Sequence, residues 1–143
     1  MLTNKRTIFV EFGHCDPSGI VYNPNYFIWF DFSVHALLAR AGLTLKEMIT
    51  KFGIDGIPVV EYRSKFLAPS RWEDELLIER SVVNLHRCTF DIQHCVFNAG
   101  VMAAECFETR VCTAIDPQQG QVKARELPTK LIELFTRGET SER

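Results

Sequence analysis

Between Tyr26 and Ala41 the chain places Tyr26, Phe27, Ile28, Trp29, Phe30, Phe32, Val34, Ala36, Leu37, Leu38, Ala39 and Ala41, so apolar side chains fall on almost every face of a helical projection. A helix with no polar stripe has no face for water, and the pattern predicts a buried one. Asn23-Pro24 supplies its start, because Asn is a favoured cap and Pro fits the first turn, while Gly42 supplies its stop. Leu43 to Phe52 predicts a second, shorter helix ended by Gly53. Upstream, the β-branched and aromatic run Thr7 to Phe12 predicts a strand that leads directly into the turn-forming stretch Gly13 to Gly19.

After the helices the period changes from helical to alternating. Val60, Tyr62, Ser64 and Phe66 interleave with Glu61, Arg63 and Lys65, the period of a strand with one wet face. Leu76 to Asn84, Cys88 to Asn98 and Val101 to Ile115 continue in the same manner, the last two joined by the hairpin signal Asn98-Ala99-Gly100. Leu127-Pro128 then opens a short amphipathic helix through Phe135. The order is strand, buried helix, four antiparallel strands, terminal helix. A helix too apolar for water needs a sheet that curls around it, so the class is α+β with a curved five-stranded antiparallel sheet wrapped on one long helix. No repeat or linker divides the chain. Residues 1–136 form one expected domain, and the tail 137–143, RGETSER, is expected to be disordered.

Composition changes this picture little: 46% hydrophobic and 24% charged residues among 143 are ordinary for a globular domain. The net charge of −2 is spread without blocks, which argues against nucleic acid or an anionic membrane as a partner. No apolar run approaches the ~18 residues of a membrane span, and the first ten residues lack the apolar core of an export signal. Five cysteines, an odd number without a CxxC pair, suit reduced thiols and a cytoplasmic protein.

The chemistry concentrates in the run Glu11 to Phe30, EFGHCDPSGIVYNPNYFIWF. Pro17 disfavours helical backbone at Asp16, so this acid is displayed from a constrained bend with Gly19 as its tight corner. A few residues on, the first amides of the long helix, at Asn23, Asn25 and Tyr26, are expected to lack intrahelical partners. A carboxylate beside unpaired N–H groups is what acyl transfer needs, a nucleophile or base next to donors for an oxyanion. On residue type alone an Asx-turn is the commoner role for such an acid.

Beyond residue type, the stretch Phe12 to Asp31 resembles the signature of the hotdog-fold acyl-CoA thioesterases, in the 4-hydroxybenzoyl-CoA thioesterase-like branch. Asp16, Gly19, Ile20, Val21, Tyr22, Pro24, Asn25 and Tyr26 fit its pattern, and Phe66 to Glu79, FLAPSRWEDELLIE, resembles the family's second strand, proline turn and third strand. The resemblance spans about Phe9 to Leu134. It implies a hotdog fold and hydrolysis of a small aromatic or short-chain acyl-CoA, without cofactor or metal. It also implies Asp16 as the catalytic carboxylate and the Asn23 amide as the group that polarises the thioester carbonyl. Gly19, Tyr22 and Tyr26 then line the substrate, and Arg87, Lys123 and Arg125 meet the nucleotide, with His86-Arg87 standing where the family has tandem arginines. The family joins two subunits side by side with active sites at the seam, which implies a homo-oligomer, a dimer or a dimer of dimers (a homotetramer). Two alternatives remain: the same reaction on acyl-carrier-protein substrates, and a non-catalytic acyl-CoA-binding module.

Other constellations are weaker. Asp31 and His35 stand at i and i+4 with no nucleophile on their face, which predicts a satisfied buried polar pair. Cys15 follows His14 directly, and neighbours in an extended segment point apart, so Cys15 reads as packing. His14, Asp16, His86 and Cys88 lack compact zinc spacing, and there is no GxSxG elbow.

Overall fold

The computed structural model describes residues 1–137. Apart from Arg137, the tail expected to be disordered lies outside the described residues. Seven strands and three α-helices run in the order β1 (Thr3–Phe9), α1 (Pro24–Arg40), α2 (Leu45–Phe52), β2 (Val59–Phe66), β3 (Glu75–Leu85), β4 (Thr89–Asn98), β5 (Val101–Val111), β6 (Thr113–Ile115), β7 (Val122–Ala124) and α3 (Thr129–Thr136). Five of the strands make one antiparallel sheet in the order β1-β3-β4-β5-β2. Helix α1 lies on it with Phe30, Val34 and Leu37 wholly buried, and this arrangement of sheet and helix is the hotdog fold.

Three features depart most from the sequence pattern. The first strand is Thr3–Phe9, not Thr7 to Phe12, because seven ladder pairs with β3, from Thr3 opposite Ser81 to Phe9 opposite Glu75, recruit the polar residues Asn4, Lys5 and Arg6. Phe12 to His14 instead forms a single 3₁₀ turn. The run Val101 to Ile115 breaks at Cys112, after which β6 leaves the main sheet to pair with β7. Helix α1, finally, is not buried on every face: Ile28 and Phe32, four residues apart, are 49% and 57% exposed. The sheet covers one side of the helix, and the described residues leave Ile28 and Phe32 on the opposite side uncovered.

Local chemistry sets the other boundaries. Thr44 and Glu47 form a reciprocal capping box at the start of α2, with the Glu47 amide donating to Thr44 Oγ1 at 3.2 Å and the Thr44 amide donating to Glu47 Oε1 at 3.3 Å. The β4–β5 hairpin turns through Ala99 (φ 50°) and Gly100 (φ 80°), the two positive dihedrals that a tight hairpin matching strand twist requires.

The core divides in two. One apolar cluster gathers Val34, Leu37, Leu38, Phe90, Ile92 and Phe135, and a second gathers Tyr26, Trp29, Phe30, Leu76, Ile78 and Val96. Between them runs a belt of buried polar groups: Asn4 on β1, Arg80 on β3, His94 on β4, Glu108 and Arg110 on β5, and Ser33 on α1. At its β5 end the belt is paired. His94 Nε2 lies 2.9 Å from Glu108 Oε1, and Arg110 Nη2 donates to Asp31 at 2.8 Å and to Glu108 at 3.3 Å, while the His94 ring stacks on Phe30. Asp31 and His35 are therefore not the buried pair their spacing predicts. Both are about half exposed and 3.9 Å apart, and the close partner of Asp31 is Arg110. At the opposite end of the belt, burial together with the neighbouring Arg6 and Arg40 charges lowers Arg80 to about 10.

Candidate active site

The segment between β1 and α1 is a loop closed on itself. A bridge between Cys15 and Val21 fixes its neck, and a second between Ile20 and Arg71 ties it to the segment ahead of β3. Within the loop the Asp16 amide donates to Ile20 O at 3.0 Å and the Gly19 amide to Asp16 O at 2.9 Å. Gly19 sits at φ +82°, where a side chain would be strained. Asp16 is half-buried, and its Oδ1 accepts from the Ser18 amide at 2.9 Å and from the Ser18 hydroxyl. The Asx-turn expected on residue type is thus present, yet it occupies one oxygen only. Oδ2 has no hydrogen-bond partner among the described residues.

The start of α1 offers fewer open donors than its sequence implies. The Asn25 amide donates to Tyr22 O at 2.9 Å and the Tyr26 amide to Asn23 O at 3.0 Å, so neither is available. The Tyr22 amide is held by His14 O at 2.9 Å, which also accepts from the Asn25 side chain at 2.8 Å. The Asn23 amide alone in this group is unbonded among the described residues. Asn23 holds the cap position but caps nothing with its side chain, being in helical backbone geometry. Tight 3₁₀-type bonds have consumed the other donors, a common resolution at a helix start.

Beside Asn23 opens an apolar cleft of about 400 Å³ whose lining includes Ile20, Asn23, Tyr26, Phe66, Leu67 and Ser70. Tyr26 is 3% exposed, and burial raises its phenol against the opposing pull of a hydrogen bond with Ser70. Phe27, Tyr62 and Phe66 extend the aromatic wall, with Phe27 and Tyr62 centroids 4.8 Å apart and Tyr26 and Phe66 5.3 Å apart. A larger cavity of about 890 Å³, lined by Leu43, Phe52 and Leu134 among others, lies beyond the C-terminal end of α1, at the opposite end of the sheet from Asp16.

Asn23 and Tyr26 line the cleft, Asp16 and Gly19 sit in the adjoining loop, where the Asp16 amide bonds the cleft residue Ile20, and Tyr22 is 56% exposed. Arg87, Lys123 and Arg125 do not join them. They sit where β3 ends, about 30 Å along the strand from the Asp16 end at ~3.3 Å per residue. All three are engaged: Arg87 with Glu126 at 2.7 Å, Lys123 with Asp116 at 3.3 Å, and Arg125 with the Phe52 carbonyl. The cation beside the Asp16 loop is Arg71, whose Nη1 lies 3.8 Å from where a side-chain carbon on Gly19 would stand and which forms no ion pair among the described residues. Nothing local in the sequence marks Arg71, because its contact is made across two loops. Ser18 was not singled out from the sequence, although its place two residues after the acid in an Asp-Pro-Ser-Gly turn is the signal that marks its contact with Asp16. His86 and Cys88 likewise lie at the far end from His14 and Asp16.

The family described as the thioesterase-like superfamily matches residues 10–135, nearly the whole fold just described. The chain belongs to this superfamily. It is 32% identical over 133 residues to 4-hydroxybenzoyl-CoA thioesterase of Pseudomonas sp. strain CBS-3, covering 87% of this chain and 92% of that relative. Among solved structures it is similar to an aspartate-to-asparagine variant of 4-hydroxybenzoyl-CoA thioesterase complexed with 4-hydroxybenzoyl-CoA, with a TM-score of 0.86 and 28% identity over 94% of this chain and 99% of that one. A gentisyl-coenzyme A thioesterase is similar at a TM-score of 0.79 and 30% identity, over 92% of this chain and 99% of that one. This superfamily member is a thioester hydrolase of the 4-hydroxybenzoyl-CoA thioesterase-like family. Among its described residues no helix is long and apolar enough to cross a membrane.

Proposed function

We propose that the chain hydrolyses a small aromatic or short-chain acyl-CoA to the free acid and coenzyme A, with Asp16 as nucleophile or general base. One observation carries this reading: a carboxylate with one oxygen anchored and one open stands in the same loop-helix junction as the Asn23 cap amide, which is unbonded among the described residues, beside an apolar cleft. The Asn23 N–H lies at the positive end of the helix and is suited to donate a hydrogen bond to a thioester oxygen as negative charge develops there. Asp16 Oδ2 then either attacks the carbonyl carbon, expelling the CoA thiolate and leaving an acyl anhydride that water cleaves, or takes a proton from a water that attacks directly. No metal or cofactor enters either route. The aromatic wall of Tyr26, Phe27, Tyr62 and Phe66 favours a compact ring over a long chain, in keeping with the hydroxylated aromatic acyl groups of the similar thioesterases. Thiol release over a panel from acetyl to palmitoyl and benzoyl to hydroxybenzoyl is the test. The expected result is the highest kcat/KM on a hydroxylated benzoyl-CoA. A steady rise towards palmitoyl with inert benzoyl substrates would overturn the substrate class, and preference for the same acyl group on acyl-carrier protein would reassign the carrier.

The working unit in this reading is an oligomer. Among the described residues strand β2 pairs only with β5, and its open edge exposes Val60, Tyr62 and Phe66, with Leu67 just beyond. An unpaired apolar edge of this length is a template for a second strand. Phe66 and Leu67 also line the cleft, so a second copy added at β2 would complete the cleft wall. It would also carry its own Arg87, Lys123 and Arg125, which one protomer sets too far from Asp16. Light scattering at micromolar concentration is expected to give a mass of two or four chains; a monomer would remove the shared-site reading. Arg87→Ala is expected to raise KM by about 2- to 5-fold with kcat unchanged, because its contact to a distant phosphate binds ground state and transition state alike and its side chain is 81% exposed. An unchanged KM assigns Arg87 to the Glu126 ion pair alone. The five thiols, free in the structure and with Cys106 and Cys112 pushed up by burial to about 11 and 12, fit a reducing compartment.

A further inference from the structure

We infer that Ser18 is a positioning residue for the reaction, its hydroxyl fixing the plane of the Asp16 carboxylate so that Oδ2, not Oδ1, faces the thioester. The inference rests on the reading of Asp16 given above and adds which oxygen reacts and what holds it there.

The geometry is specific. A carboxylate on a loop has two soft torsions, and a reaction at one of its oxygens needs that oxygen held to a fraction of an ångström. The Asp16 backbone is fixed on both sides, by the Cys15–Val21 and Ile20–Arg71 bridges and by the Asp16-to-Ile20 and Gly19-to-Asp16 amide bonds. Those bonds place the Cα and leave the side chain free to turn. The two donors of Ser18 remove that freedom, because its amide at 2.9 Å and its hydroxyl converge on the same oxygen, Oδ1. Two donors on one oxygen define both its position and the orientation of the plane, which a lone amide donor does not. The same pair withdraws Oδ1 from chemistry and leaves Oδ2 open. Ser18 itself is exposed and serves no apolar packing, so its hydroxyl has no structural task beyond this contact.

Removing the hydroxyl separates the two donors cleanly, since Ser18→Ala keeps the backbone amide and the Asx-turn. Purified Ser18→Ala is expected to lose about 10-fold in kcat on the best acyl-CoA, with KM within 2-fold and an unchanged melting temperature. Ser18→Thr retains a hydroxyl on the same carbon and is expected to recover most of the loss. In an Asp16→Asn background the Ser18→Ala change is expected to have no further effect, because Ser18 acts only through Asp16. A kcat of Ser18→Ala within 2-fold of the parent, or equal losses in the Ala and Thr variants, overturns the inference while leaving Asp16 in its role. Near-parental turnover by Asp16→Asn alone removes both.

Discussion

Asp16→Asn is expected to give a folded, oligomeric protein that binds acyl-CoA and turns it over at least ~10²-fold more slowly, the lower range for losing a positioned proton-transfer group. Asn keeps the shape of the side chain and an oxygen for Ser18, so the loop has no reason to open: both residue types make the Asx-turn seen here. What disappears is the negative charge and the nucleophilicity or basicity of Oδ2. Because the turn uses Oδ1 and the proposed chemistry uses Oδ2, the substitution tests the second while sparing the first. Steady-state thiol release, with binding of substrate measured separately, makes the comparison. Asp16→Glu keeps the charge but moves it by one methylene out of the Ser18 contact, and a substantial loss is expected there as well. Near-parental kcat for purified Asp16→Asn would return Asp16 to a turn former and send the search for the reacting group elsewhere.

The second large effect is on stability, and it comes from the paired end of the polar belt. Glu108 is 1% exposed and is the hinge of the network, meeting His94 with one oxygen and Arg110 with the other. Glu108→Gln leaves a buried guanidinium with Asp31 as its remaining ionic partner, beside the Ile57 carbonyl, and His94 facing a neutral amide. Breaking one partner out of a buried ionic set costs about 3–5 kcal/mol. In a domain of this size that lowers the melting temperature by roughly 10 °C. Replacing His94, Glu108 and Arg110 together by Leu is expected to cost less than Glu108→Gln alone, since no buried charge is then stranded and the half-exposed Asp31 can turn to water. If the triple replacement proves the worse of the two, the network contributes net stability and this account of the belt is wrong.

The same network predicts a pH slope. Burial drives His94 below its ordinary value of 6.5, against the pull of Glu108, so the folded state holds it neutral while the unfolded chain takes up a proton. The unfolded state then binds more protons below about pH 6.5, and stability falls as pH drops through that region. Thermal scans from pH 8 to pH 5 are expected to show the decline, and His94→Gln to flatten it. An equal slope in that variant would place the titration elsewhere.

Much of this protein is written locally. The apolar-rich run Tyr26 to Ala41 reads as a helix laid on a sheet, the alternation from Val60 onward reads as strands, and the turn chemistry of Asn98-Ala99-Gly100 and Gly53 is a property of a few adjacent dihedrals. Asp16, Ser18, Gly19 and Asn23 lie within eight positions, so a short loop was bound to bring the acid near the helix start. These features depend on interactions between near neighbours in sequence, and the sequence alone determines them. Tertiary structure decided the rest. Which helix amides stay open depended on His14 and on 3₁₀ bonding at Tyr22 to Tyr26, and only Asn23 kept its donor. Asn4 to Arg6 became strand because β3 offered a ladder, against their own polar pattern. Arg71 reached the Asp16 loop, and Arg87, Lys123 and Arg125 were carried to the opposite end of the sheet, because strand register spends about 30 Å between residues that a motif treats as one site. The belt of His94, Glu108, Arg110 and Asp31 joins side chains from three elements up to 79 residues apart. No periodicity marks such a set, since His94, Glu108 and Arg110 each occupy an inward strand position that an apolar residue fills equally well, and only the packed sheet reveals that charges were placed there together.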